Sequence, residues 1–370
     1  MRIGIDARVF KYKTYKGIAQ TIYSIIDEWK SYSNTNEYYL ISNDRIELPE
    51  KLPSNWHLIH KGILKNGPLW IEVELAKIIR ELKLDVYWGT NFLLPQRVHG
   101  CKYVVTVHDL WLLRSPRTAS ISTYIILKLL GKKSCERADK VLAVSKTTAR
   151  DIVELYNIPK EKIAVCYNGI NKEVYRFGLE EKLNIPQLRE NDTRFFLFLG
   201  TIEPRKNPST ILKAFRIFSE KYSNVYLVFA GGKGWRTREF DKILEKSTCK
   251  DRIILAGYVD DAQKRWLLRH TIALLFPSFY EGFGLPILEA MASNVPVITS
   301  NVSAMPEVAG NAGIYIQNPY NEREISSAMF YVMNMSSLAR SDLAEAMKIQ
   351  VTKFSWEKCA TQVLNQLINT

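Results

Sequence analysis

Long apolar runs are missing from this chain of 370 residues. Nothing in it reaches the roughly 18–20 uninterrupted apolar residues of a membrane-spanning helix, so an integral membrane protein is not expected. Cysteine is scarce. Cys101, Cys135, Cys166, Cys249 and Cys359 are odd in number and scattered, with no Cys-x-x-Cys pair. That pattern argues against a disulfide scaffold and structural zinc, and a cytoplasmic location is the expectation. The chain opens on strand-like Met1-Arg2-Ile3-Gly4-Ile5-Asp6, so no secretory leader is expected. No Gly-x4-Gly-Lys-Ser/Thr loop occurs, which argues against a nucleoside triphosphatase. Acidic residues are in deficit: 51 Lys+Arg against 38 Asp+Glu leave a net charge of +13. The imbalance is uneven, with 28 against 18 in residues 1–178 and 23 against 20 thereafter. A basic first half calls for an anionic partner such as a membrane face, a lipid phosphate or an acidic glycan. No recognised nucleic-acid motif accompanies the charge, and no nucleic-acid partner is expected.

What is present is alternation. Strand-like runs separated by helix-period stretches predict parallel α/β sheets. In the first half the runs are 2–6, 38–42, 85–87, 103–107, 140–144 and 163–167; in the second they are 195–199, 225–230, 253–256, 272–276, 297–299 and 314–316. About six strands in each half suffice for a doubly wound sheet apiece. The polar stretch around Pro186 reads as a linker, giving a first domain over 1–178, a linker over 179–193 and a second domain over 194–353. Cys359, Val363, Leu364 and Leu367 recur at helical spacing and predict a terminal helix.

The most informative segment is Pro277-Ser278-Phe279-Tyr280-Glu281-Gly282-Phe283-Gly284-Leu285-Pro286-Ile287-Leu288-Glu289. An apolar strand leads in, glycines allow a tight turn, and Pro286 suits the first turn of a helix. A helix beginning there aims free N–H groups and its positive dipole end at an anion. Glu289, one turn in, can accept from sugar hydroxyls. A second segment, Gly200-Thr201-Ile202-Glu203-Pro204-Arg205-Lys206-Asn207-Pro208, follows a buried strand. It places Arg205 and Lys206 at the strand's carboxyl end, where open α/β sheets take ligands and where a guanidinium fork and an ammonium suit a pyrophosphate.

Together these segments resemble the donor site of retaining glycosyltransferases of family 4, and the resemblance extends over nearly the whole chain. It implies the GT-B fold, two Rossmann-like domains facing a central cleft, with the terminal helix 354–370 crossing back to the first. It implies transfer of a hexose from a nucleoside diphosphate-sugar to a glycan or lipid-linked acceptor. Within the second domain, Glu289 would meet the ribose, Arg205 and Lys206 the diphosphate and Val259 the base. Glu281 and the Phe283-Gly284-Leu285 backbone would meet the sugar. The first domain would contribute His108, at a strand end, and Gly17, at a helix start. His108, Glu281, Arg205 and Lys206 are the expected catalytic set. His108 can accept from a sugar hydroxyl when neutral or balance phosphate charge when protonated; a packing role is its plain alternative. The Asp-x-Asp metal triplet of the other major glycosyltransferase fold is missing, so neither metal nor cofactor is expected, the leaving diphosphate being held by cations and a helix N-terminus. The Arg205-Lys206 loop looks most like those of bacterial surface-polysaccharide mannosyl- and rhamnosyltransferases, which points to a GDP- or dTDP-linked hexose. A sugar-nucleotide epimerase of similar fold and a non-catalytic member of a glycan-assembly complex are the alternatives. Finally, Tyr124 to Lys133 joins apolar residues to a basic end. Its spacing reads first as a core helix; peripheral contact with an anionic membrane at the inner face is the other reading.

Overall fold

The computed structural model describes all residues except 12–16, 34, 47, 49, 65–66, 117–120, 177–184, 186–187 and 189–192, and the side chains of 121, 122 and 176. Of the stretch read as a linker, only Ile185, Leu188 and Thr193 are described. The chain divides into two compact units, Met1–Gly169 with Ser355–Thr370, and Ile170–Phe354.

The first unit holds a seven-stranded sheet. Its strands are β1 (Arg2–Asp6), β2 (Glu37–Ser42), β3 (Trp56–His60), β4 (Val86–Gly89), β5 (Lys102–Val107), β6 (Lys140–Ala143) and β7 (Ile163–Val165). They lie in the order β3-β2-β1-β4-β5-β6-β7, all parallel. Parallel strands need both faces covered, and apolar clusters lie on both. Helices Ile18–Lys30 and Trp356–Ile368 close one face, where the Trp29 indole N–H donates to the Ala360 carbonyl at 2.9 Å. Helical pieces Ala76–Glu81 and Lys146–Tyr156 close the other.

Strand β3 is absent from the sequence expectation. It lies at the sheet edge, and only Trp56 of its five residues is buried. Two histidines leave it no continuous apolar run, so its pattern resembles a loop. A second expectation also fails. Tyr124 to Lys133 is not core: Ile125 and Leu129 are 48% and 53% exposed, and only Gly131 among residues 124–133 is buried. The stretch falls in consecutive helical pieces Ile121–Ile125, Ile126–Gly131 and Lys132–Arg137, the middle one π-wound. The Tyr156 hydroxyl donates to the Leu127 carbonyl at 2.7 Å, which accounts for the local unwinding: a side chain takes a carbonyl from the helix ladder.

The second unit holds β8 (Arg194–Leu199), β9 (Val225–Ala230), β10 (Ile253–Gly257), β11 (Leu274–Phe276), β12 (Val297–Ser300) and β13 (Gly313–Ile316). Their order is β10-β9-β8-β11-β12-β13, again all parallel. Phe195, Phe196, Leu197 and Phe198 of β8 are fully buried, and helices Pro208–Ser219 and Glu322–Met333 pack over the sheet. No helix among the described residues is long and apolar enough to cross a membrane.

Candidate functional site

Strand order decides where each sheet can bind. In the second unit β8 has β9 on one side and β11 on the other. The connections therefore leave in opposite directions and open a crevice beyond the carboxyl ends of β8 and β11. The two segments singled out in the sequence are the two loops that border it. They are hydrogen-bonded together: Phe279 N donates to the Arg205 carbonyl at 2.9 Å, and Asn207 Nδ2 donates to the Pro277 carbonyl at 3.1 Å. Gly231, at the end of β9, touches the first loop; a Cβ there would lie 2.0 Å from the Gly200 carbonyl oxygen, so only glycine fits. That contact accounts for Gly231, and a Cβ at Gly234 would lie 2.7 Å from Thr201 Cγ2 in the same loop.

Arg205, Lys206 and Glu281 meet in this crevice. Arg205 Nη1 donates to Glu281 Oε2 at 2.5 Å and to the Tyr280 carbonyl at 2.9 Å, while Nε donates to Glu203 Oε1 at 3.0 Å. Lys206 Nζ donates to Glu281 Oε1 at 2.9 Å and lies 4.9 Å from the Phe276 ring centroid. Ser278 Oγ donates to Glu281 Oε1 at 3.0 Å, and Ser303 Oγ brackets the Glu281 backbone. Glu281 is 7% exposed. Burial pushes its carboxyl up, but Arg205 and Lys206 outweigh that and hold it at about 2. The cluster thus presents two cations rigidly oriented by a shared carboxylate, with Glu203 a further counter-charge on Arg205.

Glu289 sits apart from this cluster. It lies in the helix Leu285–Ala292, whose N-cap is Gly284 at φ 105°, a conformation that favours glycine. Glu289 Oε1 accepts from Lys264 Nζ at 2.9 Å and from the Tyr175 hydroxyl at 2.6 Å. Burial and the Glu289 charge drive the Tyr175 phenol well above its ordinary range. Lys264 stands in the helix Asp261–His270, directly after the loop Gly257–Asp260 that carries Val259. Val259 and Glu289 are therefore joined through Lys264's helix. Sequence reasoning missed Lys264, Tyr175, Glu203 and Ser303. For Lys264 a signal existed, since Asp260 and Gln263 form a capping box that fixes the helix start and puts Lys264 in its first turn. Phe283 is buried against Phe354, and Leu285 is half-buried.

The remaining candidates belong to the first unit. Gly17 caps the helix Ile18–Lys30 at φ 53°. His108 follows β5 and is buried, and its Nε2–H donates to the Thr90 carbonyl at 2.9 Å. Burial lowers its pKa to about 4, against the opposing Thr90 bond, so the ring is neutral near pH 7 and Nδ1 carries the lone pair. A neutral ring fits the acceptor and the packing roles and not the charge-balancing one.

Two parallel sheets, each in Rossmann strand order, the second with paired cations and carboxylates at its switch point, have the architecture of the GT-B class. Comparison with known proteins agrees. The Glycosyltransferase Family 4 model matches residues 16–174, and the Glycosyl transferases group 1 model matches residues 180–350. The chain is 31% identical over 313 residues to the O-antigen chain mannosyltransferase B of Escherichia coli, covering 82% of this chain and 81% of that protein. Among solved structures, the sucrose-phosphate synthase of Thermosynechococcus elongatus superposes with a TM-score of 0.75 at 16% identity, covering 100% of this chain and 98% of that one. HepE of Anabaena, solved with UDP-glucose, superposes with a TM-score of 0.72 at 15% identity, covering 100% and 99%. The chain belongs to the family 4 glycosyltransferases.

Proposed function

We propose that this glycosyltransferase moves mannose from GDP-mannose to a hydroxyl of a growing surface glycan or its lipid-linked precursor, with retention of anomeric configuration and without a metal ion. The observation that carries the donor reading is the Arg205–Lys206–Glu281 cluster at the switch point of the second unit. A diphosphate fits two cations held in place by Glu281 and Glu203 beside the N-terminus of the helix Leu285–Ala292. Glu289, held by Lys264, offers its second oxygen to ribose hydroxyls, and the Val259 loop supplies backbone groups for the base. Mannose as the sugar is supported by the Escherichia coli relative, whose name records that activity.

In the reaction the C1–oxygen bond to the diphosphate breaks and a bond from C1 to the acceptor oxygen forms on the same face. The acceptor proton passes to the departing phosphate. Arg205 and Lys206 stabilise the charge that develops there, a type of contact worth about 2.7–4 kcal/mol of barrier. The test is a thermal-shift and calorimetric screen of GDP, UDP, dTDP and ADP, followed by transfer from the matching sugar and proton NMR of the product's anomeric linkage. GDP binding, an α-linked product and activity that survives EDTA are expected; an inverted linkage or a magnesium-reversible loss rejects the corresponding part.

Peripheral membrane contact forms part of the proposal. Ile125 and Leu129 are exposed beside Lys128, Lys132 and Lys133. The helical pieces Gly67–Trp70 and Ile71–Leu75 carry exposed Leu69 and Val73, and Arg137 Nη1 of this segment donates to Glu72 Oε1 of the second at 2.9 Å. Apolar side chains interleaved with lysines fit the face of an anionic bilayer.

A further inference from the structure

We infer that the second unit holds a second anion site, a pocket behind the Arg205–Lys206 loop that takes the phosphate monoester of a small sugar. The pocket has a volume of about 210 Å³. That is several times the ~30 Å³ share of one water molecule and below the ~300–1,000 Å³ of pockets for drug-sized ligands, so the occupant is smaller than a nucleotide. Segments that follow β8, β9, β11 and β13 line it. Arg205 and Lys206 do not: their side chains turn to Glu281, and the pocket meets their loop at Glu203, Pro204 and Asn207 instead. The site therefore does not depend on the donor proposed above.

Hydrogen-bond donors converge on this pocket. The helix Pro208–Ser219 starts in its wall, and the first N–H groups of a helix have no intrahelical partner. No side chain caps this one, because Asn207 at the cap position donates its Nδ2 to the Pro277 and Pro319 carbonyls at 3.1 and 2.6 Å. Thr210, in the first turn, carries the inference. It lines the pocket and is only 7% exposed, yet its hydroxyl has no hydrogen-bond partner among the described residues. The oxygen is open to solvent, unlike that of Ser326, which is unpartnered and sealed in the core. Polar groups held this deep in a wall are normally paired, and a ligand oxygen is the partner within reach. Lys213 and Arg236 add two cations to the lining.

Charge sets the class of ligand. Two carboxylates also line the pocket. Glu203 is taken by Arg205, whose Nε donates to its Oε1 at 3.0 Å, and Glu239 lies 3.8 Å from Lys213 with its side chain 71% exposed. Two cations against one opposed carboxylate, with the positive end of a helix dipole, match a phosphate monoester better than a diphosphate. The rest of the ligand meets rings. Tyr320 is 71% exposed but stacks on Phe279 with centroids 4.3 Å apart, and both line the pocket. An aromatic ring held on one face and open on the other suits the C–H face of a sugar.

D-Mannose 6-phosphate is the probe, because its phosphate sits away from the anomeric carbon and does not mimic the donor's leaving group. It is titrated calorimetrically into full-length protein beside inorganic phosphate and mannose. Wild type is expected to bind the ester more tightly than either. Thr210→Val and Arg236→Ala should each weaken the ester about tenfold, the usual loss for a hydrogen bond to a charged group. Tyr320→Ala should weaken the ester and leave inorganic phosphate unchanged. Lys206→Ala, on the other side of the loop, should leave the ester's affinity unchanged. Arg236 is exposed, so its variant carries the comparison if Thr210→Val does not fold. Wild type that ignores the ester, or Arg236→Ala that binds it as wild type does, overturns the inference. So does an equal loss in Lys206→Ala, which would put the anion in the donor crevice. Equal affinity for ester and inorganic phosphate would overturn the part assigned to the sugar.

Discussion

Glu281 is buried yet charged, because Arg205 and Lys206 hold it, and this makes a simple deletion ambiguous. Lys206→Ala should cut turnover about 10²–10³-fold, but it also leaves a buried carboxylate short of a partner, which lowers stability. The double variant Lys206→Ala/Glu281→Gln restores the charge balance. It is expected to recover melting temperature without recovering turnover; recovery of both would make the cluster structural. The two glutamates should also separate. Glu289→Ala and Lys264→Met should weaken free GDP by calorimetry, whereas Glu281→Ala should depress transfer with a smaller effect on GDP. Acid stability follows from the same residues. His108, lowered to about 4 by burial, resists a proton that the unfolded chain accepts from about pH 6.5, so stability falls as pH drops from about 6.5 to 4. Glu281, held at about 2, contributes stability above its ordinary range that is lost as pH falls from about 4.5 toward 2. Each shift is on the order of 3 kcal/mol. Denaturant titrations should show His108→Gln flattening the upper window and Glu281→Gln the lower one.

At the scale of elements, the helical pieces from Ile121 to Arg137 combine exposed aliphatics with lysines. Each basic residue near an anionic bilayer contributes about 1 kcal/mol, and salt screens the attraction beyond about 10 Å near 0.1 M. The protein should therefore sediment with anionic but not neutral liposomes at low salt, and Ile125→Ser/Leu129→Ser should release it. Retention in the supernatant with anionic vesicles would remove the membrane contact. These pieces show where element-level reading fails. Helical periodicity marked an apolar stripe but not whether anything packs on it, and β3 went unseen because an edge strand need not be continuously apolar. The central strands β8 and β9 were legible, being buried on both faces and hence uniformly apolar.

For the whole molecule, two units with separate switch points predict separate responses to ligands. GDP alone should slow amide exchange in residues 200–207 and 278–289 and leave residues 90–108 unchanged, read by hydrogen-exchange mass spectrometry. A ligand at a hundred times its Kd stabilises the state it binds by about 2.7 kcal/mol, well within the range of that measurement. Equal protection in both units would place nucleotide contacts in the first.

The sequence by itself determined the parallel α/β architecture, the two loops that border the crevice of the second unit, and the residue types within them. Those are local properties: burial on two faces makes strands apolar, and turns and helix starts demand glycine and proline at set offsets. Tertiary structure alone decided that Glu281 pairs with both Arg205 and Lys206, that Lys264 and Tyr175 hold Glu289, and that Asp6, Thr90 and His108 are tied together. Those depend on tertiary packing, which brings together residues 75 positions apart for Lys206 and Glu281, 114 apart for Tyr175 and Glu289, and 25 apart for Lys264 and Glu289. In the last case it links the ends of β1, β4 and β5. No periodicity along the chain encodes which strand ends become neighbours.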